Sequence, residues 1–168
     1  MLNEIRNWNG LVSPASTEDT REKLISPNRV VYLDSMLTAG YEKAVRRLIS
    51  PVIVQECGGK NPQIRIEKAV WDTGASTSRI SEELAKQEGM RPVATGAIVT
   101  LAGQKDALYY LLDIHLSEAI VIKNVRVAAV SMVGRDSDFV IGMDVISKGD
   151  LSIKNKKGKT EICFEYNE

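Results

Sequence analysis

The sequence has only two cysteines, Cys57 and Cys163, and a single histidine, His115, in 168 residues. Two thiols cannot build a disulfide framework, and they cannot by themselves close a four-ligand zinc site. A cysteine nucleophile is disfavoured for the same reason, since only one histidine is available as its base and it sits in no evident motif. Charge of one sign is also missing. The 22 Lys and Arg are balanced by 22 Asp and Glu, so no net basic field exists to hold nucleic acid or an anionic membrane. No apolar run approaches ~18 residues, which excludes a transmembrane helix. The opening stretch MLNEIRNWNG has no apolar signal core, and the expectation is a reduced, cytoplasmic protein. What is present is 43% hydrophobic and 26% charged. That is enough to bury the core of one ordinary domain with a short extension.

The chain divides by its grammar near residue 50. Residues 1–49 read as a partly helical extension. Asn3 to Ser16 is polar and irregular, Thr17 can cap a short helix that Ser26-Pro27 ends, and Arg29 to Leu33 is a short strand. From Ser35, the positions Leu37, Tyr41, Ala44, Val45 and Leu48 follow helical spacing up to Pro51. Lys43, Arg46 and Arg47 then fall on a solvated helix face. Residues 50–168 read as strands: Val52–Gln55, Gln63–Val70, Ala97–Leu101, Ala107–Leu116, Ala119–Ile122, Val125–Ser131, Phe139–Ile141, Leu151–Ile153 and Thr160–Phe164. Two short helices are predicted, over Glu82–Glu88 and Asp144–Lys148, each followed or ended by glycine. Many short strands with Gly-rich turns imply an all-β barrel or sandwich.

The chemistry concentrates at Trp71-Asp72-Thr73-Gly74-Ala75-Ser76. An apolar strand delivers Asp72 to a sharp turn, Gly74 supplies backbone freedom, and Thr73 and Ser76 bring hydroxyls near the carboxylate. Asp-Thr-Gly alone is expected in roughly a few per cent of chains this long, whereas Asp-Thr-Gly-Ala-Ser is expected in well under about one per cent. Other candidates read as ordinary structure. Asp136 and Asp138 belong to a solvated turn rather than a cation loop. His115 is a strand residue, Cys57 and Cys163 are free thiols, and Met132 and Met143 fill core or cleft. The basic turn Lys154, Lys156, Lys157 and Lys159 faces solvent.

Asp72 to Ser76, the helix Ser81–Ala85, the hairpin tip Leu101–Gln104, Val140-Ile141-Gly142-Met143-Asp144 and Asp150–Ile153 together resemble the retropepsin-like aspartic proteases. The single-domain bacterial and viral-type members are the most similar, and the resemblance spans Ser50 to Phe164. It implies a closed β-barrel acid-protease lobe that acts as a homodimer on peptide or protein substrates. Peptide hydrolysis of this type needs two carboxylates sharing one proton. With one Asp-Thr-Gly in the chain, the second carboxylate comes from Asp72 of another copy. Bound water is the nucleophile, so no metal or organic cofactor is implied. The family pattern makes Thr73 a brace across the dimer, Gly74 the residue that lets the carboxylates approach, and Ser76 a support of the loop. It places Ala75 on the cleft floor and Leu101, Ala102, Gly103 and Gln104 at a flap over the substrate. Ile141 and Gly142 pack beneath the catalytic loop, and Asp144 caps the helix that follows. Trp71 is bulkier than the residue common at its position and either packs in the core or alters the cleft edge. Residues 1–49 match no family feature; a pro-segment, a docking arm and part of the dimer interface all remain open. The alternative functions are a non-catalytic dimeric peptide-binding module on the same fold, and a precursor that needs N-terminal processing.

Overall fold

The computed structural model describes residues 23–58, 62–100 and 103–167. The polar opening and the helix expected from Thr17 fall outside them, apart from the last few residues before Pro27, which are neither helix nor strand. Eleven strands and two short helices follow in order. They are β1 (Arg29–Leu33), β2 (Met36–Tyr41), β3 (Leu48–Glu56), β4 (Ile64–Trp71), β5 (Arg79–Ser81), α1 (Glu82–Gln87), β6 (Ala94–Thr100), β7 (Gly103–His115), β8 (Val121–Val130), β9 (Phe139–Ile141), α2 (Met143–Ile146), β10 (Gly149–Lys156) and β11 (Lys159–Tyr166). The all-β expectation holds. No helix among the described residues is long and apolar enough to cross a membrane.

The larger sheet runs β3-β4-β9-β5-β8-β7-β6, and β3 also pairs with β7. That second pairing closes six of the strands into a barrel and leaves β6 outside it. Closure removes free edges from the ring. β9 lies parallel to β4, and β5 lies parallel to β8, while β5 and β9 are antiparallel. Residues 103–108 of β7 pair with β6 alone, because pairing with β8 begins at Tyr109. The β6–β7 hairpin therefore leaves the barrel as a two-stranded ribbon. The inside-outside alternation slips where it departs. Tyr110 enters the main core, while Tyr109 packs on Ile98, Ala107 and Ala128 under the ribbon, with the Arg126 guanidinium 4.2 Å from its ring centre.

The smaller sheet, β1-β2-β11-β10, packs against the barrel. Leu37, Ala39, Ile162 and Phe164 are fully buried there, and the Phe164 ring lies 5.2 Å from that of Trp71. The helix expected over 35–48 is absent: residues 36–41 form β2, and residues 42–47 are neither helix nor strand. The spacing of Leu37 and Tyr41 fits either period, since two residues four apart share a face in a strand as well as in a helix. Ala39 decides the matter. It is buried between them, which only a period of two allows. Residues 29–41 are thus built into a sheet with the C-terminal strands, and β3 runs across residue 50 without a break.

The predicted break between Ala119–Ile122 and Val125–Ser131 is also absent. β8 is one strand with Asn124 at φ 57°. The backbone N–H of Asn124 donates to Asp113 Oδ1, 2.9 Å away, beside an irregularity in the β7–β8 register. The short side chain of asparagine tolerates this left-handed conformation.

Candidate active site

Asp72 follows the last residue of β4 and is exposed. Its backbone is fixed from below, where its N–H donates to the carbonyl of Ile141 at 2.9 Å. Its side chain is fixed from in front, where the Gly74 N–H donates to Oδ1 at 2.9 Å. The Ala75 N–H closes the turn on the Asp72 carbonyl at 3.1 Å. A carboxylate held by a backbone donor is kept in one orientation at no side-chain entropy cost to its partner. Gly74 does not have positive φ, so the reason for glycine differs from the one expected. A Cβ at Gly74 would lie 3.2 Å from Asp72 Oδ1, crowding the oxygen that the N–H must reach.

The loop rests on the segment after β9. The Met143 N–H donates to the Ala75 carbonyl at 2.7 Å. Gly142 is pressed against the loop backbone, and a Cβ there would meet Thr77 C at 2.7 Å, Ser78 N at 2.8 Å and Ala75 O at 2.9 Å. Ile141 is fully buried. Both residues therefore lie under the loop. Ala75 does not face a cleft: its methyl group is buried against Met132 and Val140. The backbone turns it inward so that its carbonyl can accept from Met143.

Ser78, which was not among the residues singled out from the sequence, holds this layer together with Asp144. Ser78 is fully buried. Its Oγ donates to Asp144 Oδ1 at 2.7 Å and accepts the Gly142 N–H at 3.0 Å. Its N–H donates to both Asp144 oxygens, at 3.0 and 2.9 Å. Asp144 thus clasps the Asp72 loop to α2; the N-cap position of α2 is Gly142, and Asp144 Oδ1 also accepts the first-turn Val145 N–H at 3.0 Å. Ser76, expected to support the loop, and Thr73 are both exposed; the supporting hydroxyl is that of Ser78. The signal was present as a second serine two positions beyond Ser76, but its partner lies 66 residues away.

A cavity of about 420 Å³ opens at Asp72 and Thr73. Its apolar lining includes Leu24, Val70, Met132 and Leu151, and Arg46, Arg47 and Arg135 also face it. Trp71 lies in the core beside it, with its Nε1–H donating to Ser50 Oγ at 2.9 Å. Asp136 is no free turn acid. It accepts Lys68 Nζ at 2.7 Å and the Leu24 N–H at 3.2 Å, and the Lys68 hydrogen bond holds its carboxyl below the usual range. Gly103 and Gln104 lie on the ribbon, Gly103 with φ +103°; Leu101 and Ala102 fall outside the described residues.

A larger groove of about 770 Å³, lined by Tyr32, Val52, Gln63, His115 and Glu118, does not include Asp72. Cys57 and Cys163 are unpaired. Among the described residues, no group of three or more His, Cys, Asp or Glu side chains is placed to hold a metal ion.

Residues 64–148, which carry Asp72, the loop and the Gly142 segment, match the family described as "gag-polyprotein putative aspartyl protease". The chain belongs to this aspartyl protease family. No curated protein sequence matches it. Among solved structures it is similar to the crystal structure of a retropepsin-like aspartic protease from Rickettsia conorii. Identity is 14%, over 82% of this chain and 100% of that one, with a TM-score of 0.46. It is also similar to the solution structure of Simian Foamy Virus (mac) protease, at 21% identity over 58% of this chain and 92% of that one, with a TM-score of 0.38. Asp72-Thr73-Gly74 lies within the matched residues.

Proposed function

We propose that the protein is a homodimeric aspartic endopeptidase in which Asp72 of each protomer supplies one carboxylate. The observation that carries this reading is the exposed Asp72 carboxylate, with Oδ1 fixed by the Gly74 N–H at the mouth of a cavity. One carboxylate alone cannot both take a proton from water and donate one to the scissile carbonyl; two that share a proton can. The ionised member removes a proton from water as the oxygen attacks the carbonyl carbon. The protonated member hydrogen-bonds the carbonyl oxygen as it gains charge. Proton return to the amide nitrogen then releases the amine. The β6–β7 ribbon covers the bound peptide, and the Ser78–Asp144 clasp keeps the loop in register while the two copies meet.

The test is cleavage of a diverse peptide pool across pH, with Asp72→Asn in parallel and sedimentation to give the oligomeric state. The expected outcome is a dimer with a bell-shaped rate profile reporting the paired acids, and loss of all products in Asp72→Asn. Equal cleavage by the variant would refute the assignment. A dimer that binds peptides and cleaves none at any pH would make the protein a peptide-binding module instead.

A further inference from the structure

We propose that the Asp72 cavity selects peptides with acidic side chains beside the scissile bond, and that Arg46, Arg47 and Arg135 are the selecting residues. The proposal rests on the endopeptidase reading above and adds the class of substrate. The three arginines reach one cavity from two separate places. Arg46 and Arg47 come from the connection between β2 and β3, and Arg135 from the connection between β8 and β9. All three are exposed. Among the described residues, none of their guanidinium groups has an ion-pair or hydrogen-bond partner. The other acid on the cavity wall, Asp136, is already engaged by Lys68 and the Leu24 N–H. The cavity therefore presents three unneutralised cations against the single carboxylate of Asp72. Guanidinium groups bind carboxylates through paired, parallel hydrogen bonds. Leu24, Val70 and Met132 supply apolar wall beside them, which suits the methylene stem of glutamate or a neighbouring apolar residue.

The experiment compares peptide pairs that differ only in Glu or Asp against Gln or Asn near the scissile bond. The kcat/KM ratio of each pair is measured for the parent, for the triple variant R46Q/R47Q/R135Q, and for R47E/R135E. The parent is expected to favour the acidic peptide by about 1.4- to 5-fold for each arginine engaged, the scale of a solvent-exposed ion pair. The ratio should fall toward unity in ~1 M salt, where the Debye length is about 3 Å. It should fall likewise in the triple variant and invert toward Lys-bearing peptides in R47E/R135E. Equal cleavage of both peptides by the parent overturns the proposal. So does a triple variant that keeps the preference, or one in which only the monomer–dimer equilibrium moves, since the arginines would then serve a partner protomer. If the parent cleaves nothing, fluorescence anisotropy of the same labelled pair with Asp72→Asn decides. Tighter binding of the acidic peptide, lost on adding the three glutamines, supports the selection while the endopeptidase reading fails; equal binding overturns the selection by itself.

Discussion

Replacing Gly142 with alanine tests whether the Asp72 turn is held by close backbone contact. Gly142 has φ −94° and ψ −176°, a conformation open to any residue, so the substitution brings no dihedral strain. Its effect is purely steric. The added Cβ would meet three backbone atoms of the Asp72 loop at 2.7, 2.8 and 2.9 Å, against ordinary carbon contacts of about 3.5–4.0 Å. Backbone cannot rotate aside as a side-chain end can, so the loop must shift. Overpacking of this kind costs about 1–3 kcal/mol. Gly40 in β2 is the matched control. A Cβ there meets nothing within 4 Å, and alanine should stabilise the strand by about 0.5–1 kcal/mol. The two variants should therefore differ by about 1.5–4 kcal/mol, or roughly 3–16 °C in Tm for a domain of this size. Thermal and urea unfolding followed by circular dichroism would measure the difference. If the two variants melt together, Gly142 is not a contact point. If Gly142→Ala is destabilised yet cleaves peptides normally when folded, the contact is structural and does not position Asp72.

Two further outcomes follow from the hydrogen bonds. Asp144→Asn keeps the shape of the clasp but weakens the charge-assisted bonds from Ser78; a loss of about 1.5–3 kcal/mol is expected in urea unfolding, and an unchanged midpoint would remove Asp144 from the loop's support. Cys57 donates to Asp113 Oδ1 at 3.2 Å, and burial together with that carboxylate raises its thiol to about 11. The thiolate is therefore scarce at pH 8, and alkylation followed by mass spectrometry should run roughly ten- to hundredfold slower than for a free thiol. Asp113→Asn should speed it; labelling of the parent at the free-thiol rate would contradict the burial.

The parts of this molecule legible in its sequence are the local ones. β1 and β9 were predicted with their observed limits, and the β10–β11 hairpin follows from its turn, where Lys157 and Gly158 both have positive φ. Asp72-Thr73-Gly74 was legible because three adjacent residues carry it. β5 was not, since three residues between a loop and a helix show no period. Its place is set by the buried Ile80 and by partners on β8 and β9. The Ser78–Asp144 clasp was hidden because neither residue is unusual in its own neighbourhood. Arg46 and Arg47 looked like one face of a helix. Their position at the Asp72 cavity appears only when residues 42–47 form a connection that leads into β3 beside β4.

The position of β9 has a consequence for how the chain is made. β9 is the strand inserted between β4 and β5, and Ile141 supplies the acceptor for the Asp72 N–H. Until residues 139–141 leave the ribosome, the ring joined through β3 and β7 stays open between β4 and β5. Asp72 is then present on a nascent chain whose turn lacks the Ile141 acceptor that fixes it. Contacts of such long sequence separation close slowly, after more local hairpins. The order of synthesis thus delays the acid's assembly until nearly the whole domain exists, which limits how long a half-built site is exposed to neighbouring chains.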